Sequence, residues 1–544
     1  TINAAAATGD VEIRGIGAVD MTITGGAGGD TFDFAGTLDG DDTVAGGDGT
    51  DRVVVSGSET AALSGVTSVE EIEIDTDDIG DSTTVTISGT AISSATKFVA
   101  RANTATDNDD ATLAFTNLED GDTIEFLSGG ADSTSLADGV AVTTAVTTNT
   151  TSNTLTLEFD GIGAVTADLT ADTGLANVEA DEIETLTIVS NTNATGVTTV
   201  NEIEELDIAE AQSLVFSGAA DFDANSVVNT TALTSVVSSS MTGDLTLTGL
   251  DASALTLTDG SGDLTVTMAG LTNADTIDGG TGTDTVTGLA VTGLTATTGK
   301  FNVSNVDTLI VQATGANTFD LSSLSSVGAF AISGGTPGTQ TLTNVAAGQT
   351  IQLGEATGAG VVFDNGDEVD ITMADATGAA DSLTINVEND AANTDAAIDV
   401  SGVETISLVV SADTNDATVD MTLAEATTIN VSGGAAGALL ALDTLASTTT
   451  TVDMSSYSGE VSFSGANAAS SMTVTATSSA ADDNFTLSGK NDTVTVGATG
   501  AVDVDVDGGG GTDTMNLTVT TGFVDTGEID NVENLNIIVA SGVD

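Results

Sequence analysis

Short apolar triplets recur along the chain, and in each a polar residue separates two apolar ones. One run contains Leu245-Thr246-Leu247 and Leu264-Thr265-Val266, and a second extends from Val452-Asp453-Met454 to Met515-Asn516-Leu517. Glycine, serine, aspartate and asparagine separate the triplets, which follow one another at steps of about ten residues. Alternation with a period of two, rich in β-branched residues and broken by turn formers, predicts short strands with one buried face.

Strands this short and this regular fit an all-β chain, either a β-solenoid with two strands per coil or a β-sandwich with brief turns. Near-identical rungs of valine and leucine favour a multi-domain solenoid of the parallel β-roll or β-helix kind, because stacking along the axis buries what no single repeat can bury. Since only 3% of the residues are aromatic, we expect a core of Val, Leu, Ile, Ala and Thr. The only helical pattern spans 435–446, and segment 211–224 is ambiguous.

A second repeat divides the chain. Val69-Glu70-Glu71-Ile72-Glu73-Ile74 returns in related form at 183–188, 203–208, 306–311, 403–408 and 532–537. We interpret it as a strand at a coil corner with its acid on the polar side, and not as a catalytic motif. If the repeat marks the ends of modules, it predicts five β modules, 1–80, 81–210, 211–315, 316–415 and 416–544. The single proline, Pro337, predicts a turn.

Composition excludes several classes of function. The 544 residues include no His, Cys or Trp, which removes Ser-His-Asp triads, thiolate chemistry and His- or Cys-ligated metals. Six Lys and Arg against 82 Asp and Glu give a net charge of −76, which would repel nucleic acid and anionic lipid. No apolar run approaches the roughly 20 residues that span a bilayer. The six cations are expected to form local ion pairs.

The acidity has two interpretations. Adaptation to high salt would give a surface rich in both Asp and Glu. Here Asp outnumbers Glu and stands beside Gly and Thr in turn-like strings. Because the short Asp carboxylate suits calcium loops, we favour calcium binding.

Four segments match the pattern Gly-Gly-x-Gly-x-Asp-x-apolar-x, at 25–33, 46–54, 279–287 and 508–516. Such glycines let the backbone turn tightly and present carbonyl oxygens, while the Asp supplies a carboxylate and the apolar residue enters the core. A hard cation with six to eight oxygen ligands fits such a loop, and calcium fits better than magnesium, which demands stricter geometry. The alternative is a set of Gly/Asp turns without metal.

The predicted metal-site residues follow from these segments. The intact copies supply Gly26, Gly28, Asp30, Gly47, Gly49, Asp51, Gly280, Gly282, Asp284, Gly509, Gly511 and Asp513. Degenerate copies add Asp42 and Asp275, which we expect on the opposite edge of the coils, and a weaker relative adds Asp492. The loops that start at Gly25 and Gly46 are 21 residues apart, about one coil, which predicts calcium between Asp30 and Asp51.

These nonapeptides resemble the RTX calcium repeats of Gram-negative proteins exported by type I secretion. The copies at 46, 279 and 508 precede the Val-Glu-like strand by 23, 27 and 24 residues. This pairing, with the wealth of Thr, Ala, Gly and Asp and the lack of Cys, is similar to calcium-dependent surface-layer (S-layer) proteins of that class. The resemblance implies secretion and calcium-linked β-solenoid domains that form a lattice at the cell surface. The chain differs in having scattered nonapeptides and no recognisable anchoring domain or C-terminal export signal.

Three functions are therefore weighed. The first is a structural, self-assembling extracellular S-layer or filament subunit with Ca²⁺ as its cofactor. Its expected partners are copies of itself and a cell-surface polysaccharide or lipopolysaccharide, with no nucleic acid and no membrane span. The second is a calcium-stiffened adhesin or biofilm-matrix protein. The third is an enzyme that uses paired carboxylates on a glycoside, which the scarcity of aromatic and cationic residues disfavours, so no catalytic residue is predicted.

Overall fold

The protein is described by a computed structural model over residues 1–56, 63–75, 84–102, 112–128, 141–146, 152–160, 175–180, 182–192, 200–251, 254–336, 338–354, 368–375, 377–378, 380–387, 394–410, 417–423, 425–435, 439–478, 482–498, 501–519, 524–525 and 527–539. It is all-β, with 57% of residues in strands and 2% in helices. Stacked parallel coils form a β-solenoid of about 18 turns, which confirms the solenoid prediction.

Each coil contributes two strands, and each strand pairs in parallel with the strand of the next coil. Phe32 pairs with Val53, and Val53 pairs with Ile72. In the same coils Ile23 pairs with Val44, which pairs with Val66. The apolar residue of each triplet therefore stacks on its counterpart, as the spacing predicts.

The first strands are β1 Ile2–Asn3, β2 Glu12–Ile13, β3 Thr22–Thr24, β4 Thr31–Asp33, β5 Thr43–Ala45, β6 Arg52–Ser56, β7 Val66–Thr67, β8 Glu71–Asp75, β9 Thr84–Ser88, β10 Lys97–Ala102, β11 Thr112–Leu118, β12 Asp122–Ser128, β13 Ala141–Val146, β14 Thr154–Asp160, β15 Leu175–Ala180, β16 Thr185–Asn191, β17 Asn201–Asp207, β18 Ser213–Gly218, β19 Phe222–Ala224, β20 Val227–Val228, β21 Ser235–Met241, β22 Leu245–Leu250, β23 Thr256–Thr258, β24 Leu264–Met268 and β25 Thr276–Asp278.

The remaining strands are β26 Thr285–Thr292, β27 Asn302–Ser304, β28 Val306–Thr314, β29 Asn317–Asp320, β30 Val327–Thr336, β31 Thr339–Val345, β32 Thr350–Leu353, β33 Glu368–Met373, β34 Ser382–Val387, β35 Thr394–Ser401, β36 Thr405–Val410, β37 Ala417–Leu423, β38 Thr428–Gly433, β39 Leu439–Thr444, β40 Thr451–Tyr457, β41 Glu460–Ser464, β42 Thr473–Ser478, β43 Asp482–Thr486, β44 Thr493–Ala498, β45 Ala501–Asp507, β46 Thr514–Val519, β47 Val524–Asp525, β48 Ile529–Asp530 and β49 Asn534–Val539. Short 3₁₀ helices span Thr230–Ala232 and Leu321–Ser323, and residues 63–65 have the same conformation.

The chain divides into two compact units, 1–270 with 275–286, and 271–274 with 287–544. In the first unit, sheet 1 contains β1, β3, β5 and β7, sheet 2 contains the even strands β2 to β18 followed by β21, β23 and β25, and sheet 3 contains the odd strands β9 to β19 followed by β20, β22 and β24. In the second unit, sheet 4 contains the even strands β28 to β46 followed by β49, and sheet 5 contains the odd strands β29 to β47 with β48. The finer division into five modules stays a prediction.

The core alternates with the polar residues as predicted, but its largest members are aromatic. In β14 and β16 every second residue is buried, and the first two of these positions stack Leu155 on Leu186 and Leu157 on Ile188. The largest fully buried side chains are twelve phenylalanines, and Phe159 contacts both Phe126 and Phe222, with ring centroids 5.0 and 5.2 Å apart. The expectation of a core without aromatics is therefore wrong, because the few phenylalanines are concentrated inside the coils.

The helix predicted at 435–446 is also wrong. Its described part forms strand β39, which pairs with both β37 and β41. The ambiguous segment 211–224 forms β18 and β19. Hydrogen bonds to a coil on each side override the helix propensity of Ala and Leu here. Pro337 lies outside the described residues.

Basic residues of the first unit form ion pairs along the outer side of sheet 2. Arg52 contacts Glu71 and Glu73 at 2.6 and 2.7 Å. Lys97 contacts Glu125 and Glu158, each at 3.1 Å. The Glu125 side chain is nearly buried, and its burial raises its pKa while Lys97 opposes that rise. The local ion pairs expected from the sequence are present for these cations.

Replacing Lys97 should loosen this cluster. Lys97→Met leaves two carboxylates adjacent and Glu125 buried without a cation, so we expect local opening to become easier by about 2 kcal/mol, or roughly 30-fold faster exchange. Hydrogen exchange of β10, β12 and β14 measures this. Lys97→Arg should remain close to the parent, and unchanged exchange in Lys97→Met would show that the pair contributes no stability.

Candidate calcium sites at the coil edges

The glycines of the nonapeptides lie against the backbone of the preceding coil. At the edge where sheet 1 passes into sheet 2, a Cβ atom on Gly47 would lie 2.2 Å from the carbonyl oxygen of Gly26, and one on Gly49 would lie 2.4 Å from that of Gly28. Both residues also have positive φ, +123° and +121°. Only glycine fits there without moving the neighbouring coil.

The other predicted glycines are equally close to a neighbouring coil. Cβ atoms on Gly280 and Gly282 would lie 2.4 and 2.3 Å from the nearest backbone oxygen, and those on Gly509 and Gly511 would lie 2.2 and 2.3 Å away. Gly26 and Gly28 have the same restriction, at 2.5 Å from the backbone of Ala7 and Asp10. Close stacking therefore accounts for the glycine pattern whether or not an ion is bound.

The seven predicted aspartates share one position and one hydrogen bond. Each directly precedes a strand, is 0 to 4% exposed, and accepts a backbone N–H from the preceding coil through Oδ1. The donor–acceptor pairs are Val11 to Asp30 (2.7 Å), Met21 to Asp42 (2.7 Å), Asp30 to Asp51 (2.8 Å), Leu255 to Asp275 (2.7 Å), Leu264 to Asp284 (2.9 Å), Met472 to Asp492 (2.6 Å) and Asp492 to Asp513 (2.7 Å).

At two of these aspartates the next coil supplies a glutamate as the acceptor. The Asp51 N–H donates to Glu70 at 2.9 Å, and the Asp513 N–H donates to Glu533 at 2.7 Å. Both glutamates belong to the Val-Glu repeat, and Glu184 and Glu404 of the same repeat accept the N–H groups of Asn153 and Asp381. The repeat therefore has a structural role at the coil corner, in keeping with its interpretation from the sequence.

Asp51 and Asp513 each retain one carboxylate oxygen without a partner. Their Oδ2 atoms are buried and accept no hydrogen bond among the described residues. Burial raises the pKa of both carboxyl groups, and the neighbouring acids Asp30 and Asp492 add to the rise. An unpaired, buried, charged oxygen is unfavourable unless a cation or a proton meets it.

The surroundings of these two oxygens match. A Cβ atom on Gly46 would lie 2.4 Å from Asp51 Oδ2 and 2.0 Å from the Ser68 carbonyl oxygen. One on Gly508 would lie 3.0 Å from Asp513 Oδ2 and 2.2 Å from the Asn531 carbonyl oxygen. Carboxylate and carbonyl oxygens thus converge beside a glycine in each case, and an oxygen-only donor set is what calcium prefers. The donor atoms near each of the two glycines are therefore of the type that calcium takes, and the unpaired Oδ2 distinguishes these two loops from the loop of Asp30.

The predicted partner of Asp51 is placed as expected but uses its oxygens differently. Asp30 lies one coil before Asp51 on the same edge, and its two oxygens accept the Val11 and Gly26 N–H groups at 2.7 and 2.5 Å. The same holds for Asp492, whose Oδ2 accepts from the Ser488 N–H and hydroxyl. The sharing of one ion by Asp30 and Asp51 stays a prediction. Of their four carboxylate oxygens, Asp51 Oδ2 is the one without a hydrogen bond among the described residues.

Asp42 and Asp275 lie on the edge opposite to Asp51 and Asp284, respectively, as predicted. Asp42 precedes β5 in sheet 1, whereas Asp51 precedes β6 in sheet 2. Beside Asp42, the exposed carboxylates of Asp20, Asp39 and Asp41 lie within 4.8 Å of one another. Asp42 Oδ2 accepts the Asp39 N–H at 2.9 Å, so this carboxylate has partners for both oxygens.

Sequence reasoning missed Asp259. It is 7% exposed, its Oδ1 accepts the Ser238 hydroxyl, and its buried Oδ2 has no partner among the described residues. Burial raises its pKa, and Asp244 and Asp278 contribute. The signal was present as Asp259-Gly260-Ser261-Gly262-Asp263, a glycine loop with Asp in place of the first Gly, directly beneath Gly280 and Gly282.

Comparisons with known proteins add no assignment. No protein-family model matches the chain, and no curated protein matches it either. Among the described residues, no helix is long and apolar enough to cross a membrane.

Paired substitutions should reveal whether one ion joins two aspartates. In chelator, Asp30→Ala and Asp51→Ala remove separate hydrogen bonds at about 1–2 kcal/mol each, and each also relieves the repulsion between the two carboxylates. Because both single variants include that one relief, the double variant should lose the sum of the two effects or somewhat more in the opening of β3 to β6. In calcium the double variant should lose less than the sum, because both substitutions act on the same ion. Hydrogen exchange gives the opening free energies. The control is Asp42→Ala with Asp51→Ala, on opposite edges, whose effects on the opening free energy should add in both buffers. If the effects of Asp30→Ala and Asp51→Ala add in calcium, the two residues do not share an ion.

Without calcium, the stability should depend on pH in an unusual direction. Burial raises the pKa of Asp122 and of Asp223 to about 6, and those of Asp51, Asp259 and Asp513 are also raised. Carboxyl groups with a higher pKa in the folded state bind protons more tightly when folded, so stability rises as pH falls through that pKa. The Tm in chelator should therefore increase by a few degrees between pH 7 and pH 5. A Tm that is flat or falls over this range contradicts the raised pKa of these buried carboxyl groups.

Proposed function

We propose that this chain is a structural, calcium-dependent subunit of an extracellular surface layer, which associates with its own copies into a lattice or filament. The observation that carries the proposal is the matched pair of buried, unpaired oxygens at Asp51 Oδ2 and Asp513 Oδ2, each beside a glycine and a carbonyl oxygen of the next coil. The RTX-like nonapeptides in which they occur support the same conclusion.

Charge explains why an ion is needed. A net charge of −76 opposes any compact state, and each bound calcium removes two of these charges at a coil edge. Calcium suits irregular oxygen cages, whereas magnesium demands near-octahedral geometry and gives up its water reluctantly. Calcium is therefore the cation we assign to these edges.

A structural role is favoured over a catalytic one. The aspartates that sequence reasoning marked as ligands accept backbone hydrogen bonds between coils, and Arg52, Lys97 and Arg101 are paired with glutamates. These aspartates, glutamates and cations hold neighbouring coils together. None of them is proposed to contact a substrate. A cell-surface polysaccharide or lipopolysaccharide as the anchor rests on the resemblance alone.

Calcium should assemble the protein where sodium does not. In calcium-free buffer at 0.01 M salt the Debye length is about 30 Å, so the chains should repel one another and remain monomeric. Millimolar calcium should restore β structure in circular dichroism and produce ordered sheets or fibres in negative-stain microscopy. Sodium at the same ionic strength only screens charge, and magnesium should be much weaker than calcium.

The outcomes separate the proposed functions. Equal assembly in sodium would mean that screening of charge suffices and that a specific requirement for calcium is wrong. An unchanged spectrum and Tm in chelator would remove calcium from the fold. Calcium-dependent folding without assembly would move the adhesin or matrix protein to first place.

A further inference from the structure

The second unit carries two outer surfaces of very different chemistry. On the eight sheet 4 strands from β34 to β49, two adjacent columns of residues point outward, and none of the residues in them is buried. We call these columns the hydroxyl face. They contain Ser382, Thr405, Thr428, Thr451, Thr473, Thr493, Thr514 and Asn534, and beside them Thr384, Ser407, Asn430, Asp453, Thr475, Thr495, Asn516 and Asn536.

Only Asp453 brings a charge to these sixteen positions. Sheet 5 of the same unit has the opposite character. Its outward positions carry nine described carboxylates, namely Asp320, Glu368, Asp370, Asp399, Glu460, Asp503, Asp505, Asp507 and Asp530. Burial raises the pKa of Asp370, and the charges of Glu368 and Asp399 raise it further, as expected where carboxylates crowd one another.

We propose that the hydroxyl face is the surface through which two copies of this chain pack, face to face. This inference rests on the self-association proposed above and names the surface that carries it. Like charges oppose contact between chains of −76, and that repulsion is least where carboxylates are absent. Two acidic faces of sheet 5 could meet only through bound cations, which two hydroxyl faces do not need.

Hydrogen-bonding chemistry also makes the hydroxyl face self-complementary. Hydroxyl and amide groups both donate and accept, so two identical faces related by a twofold axis can satisfy each other. Ionised carboxylates only accept, so two acidic faces cannot. Within the hydroxyl face, the Asn536 amide donates to Asn516 Oδ1 at 2.9 Å, which shows these side chains already bonding along a column.

The area is of the order that a specific contact needs. Eight strands spaced by about 4.8 Å extend for about 38 Å, and two columns that each take up two residues of about 3.3 Å give a width of about 13 Å. The hydroxyl face therefore offers about 500 Å², which would form the centre of an interface in which each partner buries roughly 800 Å².

Cysteine cross-linking tests the contact directly, because the chain contains no cysteine. Thr473 is exposed on β42 of the hydroxyl face, and Asn484 is exposed on the next strand, β43, of sheet 5. With a flexible bismaleimide in dilute protein, Thr473→Cys should give at least tenfold more covalent dimer than Asn484→Cys. Equal or reversed yields would overturn the proposal.

Added charge provides a second test. Thr451→Glu with Thr473→Glu places two carboxylates one coil apart on the hydroxyl face, and Ser462→Glu with Asn484→Glu does the same on sheet 5. Sedimentation velocity in calcium should show self-association weakened at least tenfold in the first variant only, with circular dichroism like the parent in both. Equal weakening in the two variants would overturn the proposed face.

The results also separate this inference from the lattice function. A calcium lattice without enriched Thr473→Cys dimers would leave the function standing and remove the face. Enriched dimers without a lattice would keep the face and remove the lattice. A monomer with no enrichment would remove both.

Discussion

The hydrogen bond from a backbone N–H at one coil corner to the carboxylate of the next coil is the interaction on which this solenoid depends. Within the strands, the parallel ladder pairs the backbone groups, but at the corners that carry these aspartates the chain leaves the sheet and one N–H would be buried without a partner. Such a group costs about 1–3 kcal/mol. The Oδ1 atoms of Asp30, Asp51 and Asp513 supply the missing acceptors, and the glycines beside them let the coils approach closely enough for the bond to form.

A carboxylate used in this way brings a charge into the coil edge. Where the second oxygen also finds a donor, as in Asp30 and Asp492, the charge is spread over several N–H dipoles. In Asp51 and Asp513 the second oxygen has no donor among the described residues, and burial of the charge raises the pKa of each carboxyl group. A divalent cation would resolve the same conflict without protonation, and this is the reason for proposing calcium at these two loops.

The sequence was sufficient for the strand spacing, the two-strand coil and the edge on which each aspartate lies, because period-two alternation and the 21-residue step between Asp30 and Asp51 follow directly from coil geometry. It was insufficient where tertiary contacts decide. Segment 435–446 has helical composition but is paired on both sides, and Asp259 stands outside the nonapeptide pattern although it lies beneath a nonapeptide loop. The second oxygen of Asp30 and of Asp492 is paired by the N–H four residues earlier in the same loop, from Gly26 and Ser488 respectively. The glycine pattern alone does not show in which loops that N–H is turned toward the carboxylate.

The distribution of charge bears on the alternative of adaptation to high salt. That alternative places carboxylates over the whole exposed surface, because every part of it must hold water and salt. In the second unit, however, carboxylates crowd the outer side of sheet 5, while the sixteen positions of the hydroxyl face include only Asp453. Both faces stand on strands with the same inner Val and Leu ladders, so the core does not dictate the difference. Since outer positions can vary freely without disturbing the coil, an uncharged face on a polyanion points to contact with another surface and not to solubility.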